Sequence, residues 1–143
     1  MRNLVAVSIL FLLSLGAASA QIFSSVEFVT TTPFTAGNAT VPPGKYIIRL
    51  TDDPSMLEIA NLASGISVLV EVETMDTYSP AKRTMVTFYK YGDRLVLKSV
   101  VIEGQENGVL SSTEMAERSH MRKYGKPTKV EIPGTVVKDD ARP

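Results

Sequence analysis

Thr84 to Glu103 reads TMVTFYKYGDRLVLKSVVIE, two β-rich runs joined at Tyr91-Gly92-Asp93-Arg94, and this pattern predicts a hairpin. Gly92 stands at the first central position of a two-residue turn. A type II′ turn needs φ > 0 there, and glycine takes that conformation without steric cost. The register follows: Tyr91 opposite Arg94, Phe88 facing Leu97 and Val86 facing Ser99 on the core side. Tyr89 then faces Val96, and Met85 faces Val100, on an outer and partly apolar side. The second arm admits two readings: strict alternation from Leu95 and Leu97 puts Ser99 and Val101 inside, whereas a β-bulge near Lys98-Ser99 puts Val100 and Ile102 there.

Upstream of the hairpin the same period of two recurs. Ile66, Val68, Val70 and Val72 alternate with Ser67, Leu69, Glu71 and Glu73, giving one dry and one wet side. Tyr46, Ile48 and Leu50 share a face after the turn formers Val41-Pro42-Pro43-Gly44, and Met56 to Leu62 returns with Leu57 and Ile59 inward after Asp52-Asp53-Pro54-Ser55. Near the start, Val26 and Phe28 alternate with Ser25 and Glu27 over Gln21 to Thr32, while Phe34, isolated among turn formers, is expected to plug one end of the core. Met75 to Arg83 and Gly104 to Gly108 read as loops. Asn38-Ala39-Thr40 matches the N-glycosylation acceptor pattern, which is short and common.

Downstream, Leu110 to Gly125 carries helix signals. Ser111 and Glu114 are spaced as a capping box, Leu110 and Met115 as a hydrophobic staple, Gly125 as a C-cap, and Pro127 blocks continuation. The expected helix spans about 112–124, with a thin apolar face of Met115, Ala116 and Met121 over a sheet margin. A last short strand is expected at Thr128 to Ile132, and residues 133–143 read as a flexible tail.

Residues 1–20 read as a secretory signal peptide, with Arg2, an apolar run from Leu4 to Leu15 and the cleavage pattern Ala18-Ser19-Ala20. The expectation is therefore a secreted chain, periplasmic or extracellular, in which residues 21–132 form a single β domain. With no cysteine, stability must come from burial, and no thiol follows the leader to take a lipid. Fifteen Lys and Arg balance fifteen Asp and Glu, so no bulk field draws nucleic acid. The fold class expected is mainly β: a small antiparallel sandwich or partly open barrel of about seven strands with one C-terminal helix. A membrane-spanning barrel is disfavoured by the acids on the strand faces, and no integral membrane insertion is expected after cleavage.

The pieces Val41-Pro42-Pro43-Gly44-Lys45-Tyr46, Thr87-Phe88-Tyr89-Lys90-Tyr91-Gly92-Asp93 and Ser111-Ser112-Thr113-Glu114 are similar to those of a large group of small uncharacterised secreted bacterial proteins. That group shares a Pro-Gly-Tyr turn, a late aromatic hairpin and a Ser-x-x-Glu helix start. The resemblance brackets about Phe34 to Arg118 and implies a shared small β fold. Its motifs are turns, core aromatics and a cap, so it carries over no catalytic or binding residue.

Chemistry has few footholds in this sequence. His120 is the sole histidine, and no nucleophile motif points to it. Met115, His120 and Met121 are soft ligand types for cuprous ion, but methionines packing a helix account for them more simply. Asp52, Asp53, Glu58, Glu71, Glu73 and Asp76 could supply paired carboxylates for glycoside hydrolysis, yet their places in turns and on a wet strand face read as solvated acids. Arg118, Arg122, Lys123, Lys126 and Lys129 read as a solvated helix end. No catalytic residue, metal or cofactor is expected.

The expectation is a non-enzymatic binding or structural module whose partner is a second copy or another envelope or extracellular protein. Two surfaces are candidates: the outer stripe Met85, Tyr89, Val96 and Val100 for docking, unless the helix or last strand covers it, and Val26 with Phe28 for strand exchange between subunits. The alternatives are a carrier with a small apolar ligand inside the barrel and, behind it, a carboxylate-dependent hydrolase.

Overall fold

The computed structural model describes residues 25–112 and 114–137; the expected signal peptide, residues 1–20, and the end of the expected tail, 138–143, lie outside them. The molecule is mainly β, with eleven strands and one helix among the described residues rather than the seven or so strands expected. The four additional strands are three- to five-residue pieces: β2 (Phe34–Ala36), β3 (Ala39–Val41), β9 (Asn107–Ser111) and β11 (Thr135–Val137). Runs that short carry almost no period of their own and are strands because a neighbour supplies the ladder.

The longer strands are β1 (Ser25–Thr30), β4 (Gly44–Leu50), β5 (Met56–Asn61), β6 (Ile66–Asp76), β7 (Met85–Tyr91), β8 (Arg94–Val101) and β10 (Thr128–Pro133). Hydrogen-bonded neighbours run β10-β7-β8-β9-β6-β5-β4-β1-β11. β6 serves two ladders, since Ile66 to Glu71 pairs with β5 and Val72 to Asp76 with β9. At the other end, β10 pairs with β7 and β11 with β1, and the single residue Gly134 separates β10 from β11. A Cβ at 134 would lie 2.6 Å from Val26 Cγ1, so glycine lets this corner close onto β1. Residues 133–137, expected in the tail, therefore belong to the sheet, because β1 needs a partner on its second edge.

The hairpin forms with Tyr91 opposite Arg94 and with Gly92 at φ +59°. Phe88 faces Leu97 and Tyr89 faces Val96 as expected. Beyond them the register shifts: Thr87 faces Ser99, Val86 faces Val100 and Met85 faces Val101, with Lys98 the extra residue. The bulge thus decides the two-way reading of the second arm, and it brings Val100 and Ile102 into the core. β2 fills the space beside the first half of β8 as its parallel neighbour, Phe34 against Leu95.

Phe34 does more than plug an end. Its ring meets Tyr46 at 5.4 Å and Phe88 at 5.3 Å, both edge-on, while Phe28 lies within 6.0 Å of all three. The Tyr46 hydroxyl donates to the Pro42 carbonyl at 2.6 Å, which satisfies the phenol and ties the proline turn to the core. Aliphatic side chains from β4, β5, β6 and β8 complete the packing, with Ile48, Leu57, Ile59, Val70 and Leu97 buried.

Helix α1 (Glu114–Tyr124) lies over the outer face of the hairpin. It starts later than the capping box implied. Ser111 is the last residue of β9, paired with Val72, and the Ser112 amide still donates to the Glu71 carbonyl. Pairing with β6 extends the strand past the serine, so the Ser111-Glu114 cap does not form. Gly125, at φ +80°, ends the helix as expected, its amide donating to Met121.

Candidate functional site

Two loops bind each other along one end of the molecule. The Thr77 amide donates to the Glu106 carbonyl at 2.8 Å, Ala81 to Gln105 at 3.0 Å and Gly104 back to Ala81 at 2.9 Å. The Thr77 hydroxyl sits 2.7 Å from the carbonyls of both Ser79 and Glu106. Within this frame the Tyr78 amide donates to the Asp76 carboxylate at 2.7 Å. Tyr78 itself has φ +62°, the one non-glycine residue with positive φ among those described, and its side chain is 91% exposed. A bulky residue in that region is strained and persists only where surrounding bonds over-determine it.

Next along the chain is a cleft of about 690 Å³, open to solvent, between Arg83–Met85, Glu103–Gly104 and the Pro133–Val136 corner. The Glu103 amide donates to Thr84 Oγ1 and the Gly134 amide to the Thr84 carbonyl, so Thr84 holds the three walls together. Arg83 and Glu103 are exposed at its mouth, one charge of each sign. An open cleft fits an extended segment of a macromolecule better than a small ligand, which needs most of its surface enclosed.

The outer stripe is not a single surface. Val100 turns inward through the bulge, and Val96 is fully buried, while Met85 and Tyr89 are half-buried. α1 provides the cover: His120 stacks on Tyr91 at 5.6 Å, and Glu117 pairs with Lys98 at 3.0 Å. The Lys98 ammonium also lies 5.4 Å from the centre of the Tyr89 ring. The Tyr124 ring packs over the turn, so a Cβ at Gly92 would come within 2.9 Å of it. The helix therefore docks through Glu117, His120 and Tyr124, one face at i, i+3 and i+7, with Met121 exposed. The side chains of Met115 and Ala116 lie outside the described residues. His120 is half-buried between two tyrosines.

Val26 and Phe28 are buried, and β1 has β4 on one edge and β11 on the other over Ser25 to Glu27. Adding a foreign strand there would first require β11 to leave, so this segment is no free edge.

The structure does not gather the carboxylates. Glu58 pairs with Arg49 at 2.8 Å, Asp76 accepts from Tyr78, and Glu71 and Glu73 are exposed along β6. Asp53 accepts from the Ser55 side chain and amide, which hold its carboxyl below the usual range, as a turn aspartate would be. Among the described residues no three His, Cys, Asp or Glu side chains are placed to share a metal ion. No helix among them is long and apolar enough to cross a membrane.

No protein-family model matches the chain, and neither a curated protein nor a solved structure does. Tyr78 had no functional signal in the sequence beyond its setting between Asp76 and Ser79-Pro80, residues that favour a turn. The neighbouring Thr77, whose amide and hydroxyl both bond the Glu106 carbonyl, ties this turn to a loop far along the chain.

Proposed function

We propose that this chain is a secreted or periplasmic module that binds or assembles and does no covalent chemistry, contacting a second copy or another envelope or extracellular protein. The observation that carries it is Tyr78: an aromatic ring almost wholly in solvent, on a strained backbone that hydrogen bonds hold rigid. A tyrosine presented in that way loses little conformational entropy on binding and supplies a large contact, the properties of an interface anchor. The open cleft beginning at Arg83 gives a partner segment a place to lie. Self-association through a strand edge has an opening at β3, which among the described residues pairs with β2 alone.

We read the architecture as a partly open barrel, because β6, which changes partner from β5 to β9, and the Gly134 corner each join the two ladders. Its interior is filled by the four-ring cluster and the aliphatic side chains around it, which speaks against the carrier alternative. Residues 1–20 support export.

The test is native mass spectrometry of protein purified from its source, together with a Tyr78→Ala variant. A second subunit or a protein partner, lost on Tyr78→Ala, is expected. A bare monomer with turnover that a single Glu→Gln substitution abolishes would refute the reading, as would a bound small apolar ligand.

A further inference from the structure

The charge of this chain is balanced overall but not locally. From Arg118 to Val130 there are five cationic residues, Arg118, Arg122, Lys123, Lys126 and Lys129, and no acid. Since the whole sequence is formally neutral, the remainder carries a matching negative excess, and the molecule has a positive pole at α1. Glu117, the helical acid at the pole's edge, is turned inward onto Lys98. Lys129 is paired with Glu131 at 2.9 Å, but Arg122, Lys123 and Lys126 are exposed.

The helix orients that charge. With Glu117, His120 and Tyr124 facing the hairpin, Arg118, Ser119, Arg122 and Lys123 fall on the side pointing away, where they line a shallow depression of about 470 Å³. Met121, 47% exposed, sits on the flank of this cationic face. Arg94 from the hairpin turn adds to the pole: the Lys123 ammonium, 5.1 Å from the Tyr124 ring centre, and then the Arg94 guanidinium hold the Tyr124 hydroxyl below the ordinary tyrosine range.

We propose that the outward face of α1, with Lys126 just past its C-terminal end, is a docking site for an anionic lipid surface, Arg122, Lys123 and Lys126 meeting the headgroup phosphates and Met121 entering the interface. This goes beyond the Tyr78 reading and does not depend on it. Arg118, Arg122 and Lys123 are on α1 and Lys126 follows its end, and an exposed thioether beside them has more to gain from an acyl boundary than from a dissolved polyanion. Each cation held near such a surface adds to binding, while the negative excess elsewhere turns the rest of the molecule away and sets its orientation. No aromatic ring is in the lining Arg118, Ser119, Arg122 and Lys123, and the neighbouring Tyr124 ring is packed on Gly92, which leaves little of the stacking that single-stranded nucleic acid would need.

The experiment is co-sedimentation of the processed protein, purified from its source, with vesicles of phosphatidylcholine alone or mixed with phosphatidylglycerol. Partitioning onto the anionic vesicles should exceed that onto neutral ones by about tenfold or more and fall as salt is added. The double variant Arg122→Glu/Lys123→Glu, checked for an unchanged circular-dichroism spectrum, should lose about tenfold in partitioning. Met121→Ser should lose a smaller factor, about twofold. Equal binding to both vesicle types, or no effect of the charge reversal, would overturn the proposal. Complete competition by inorganic polyphosphate with no effect of Met121→Ser would also overturn it, in favour of a soluble polyanion.

Discussion

Tyr78 and Tyr91 show how the same side chain serves opposite ends in one molecule. Tyr78 stores backbone strain at the tip of a hydrogen-bonded loop. Replacing it with glycine removes the clash between Cβ and backbone while leaving the loop's other bonds in place. Tyr78→Gly is expected to raise stability by about 1 kcal/mol, read as a higher urea midpoint with an unchanged slope, while abolishing partner binding. Tyr91 is buried against His120, and burial, with the negative charge of Glu117 and then Tyr89, pushes its phenol above the ordinary value. The folded protein therefore holds the Tyr91 proton more tightly than the unfolded chain does. The stability this contributes is in place below about pH 10, where both states are protonated, and is lost as pH rises through the folded value. A melting temperature followed across alkaline pH should fall, and Tyr91→Phe should flatten that fall.

Helix α1 is held to the hairpin by a face that hydropathy would not select. Lys98 and Glu117 meet with side chains 19% and 13% exposed, beneath a helix that leaves Met121 exposed. The pair is neither a surface bridge nor a fully dry one, so removing one charge should cost about 1–2 kcal/mol. Lys98→Met and Glu117→Gln are each expected to destabilise by that amount, and the double variant by less than their sum, with a coupling of about 1 kcal/mol in a double-mutant cycle. Additive losses would show that the two side chains act independently. At the other end of the element, Ser111 was spaced as a cap but lies in β9, its hydroxyl buried with no hydrogen-bond partner among the described residues. Strand pairing with β6 outweighed a local cap worth about 1 kcal/mol, because the cap competes with a ladder that extends to the Ser112 amide.

Across the molecule, the order of strands is set by two changes of partner, one within β6 and one at Gly134. β11 is three residues long, yet it covers the Ser25 to Glu27 edge of β1. A chain ending at Pro133 should consequently melt lower by on the order of 5 °C. Its amides from Ser25 to Glu27 should exchange faster in hydrogen-exchange measurements, and the exposed edge should make it associate more readily at high concentration. Unaltered melting and exchange would show β11 to be dispensable.

The hairpin, its glycine turn, the alternation along β4 to β6, the helix end at Gly125 and the mainly β character were all legible in the linear chain, since each rests on neighbours a few residues apart. The strands β2, β3, β9 and β11, the choice between a bulge at Lys98 and strict alternation, the fate of Ser111 and the helix's docking face were not. These depend on which distant segment arrives alongside: Phe34 beside Leu95, Val72 beside Ser111, Thr135 beside Glu27, Glu106 beside Thr77. Local pattern specifies which side of a segment avoids water, but the partner that completes its hydrogen bonds and covers that side comes from assembly of the whole chain.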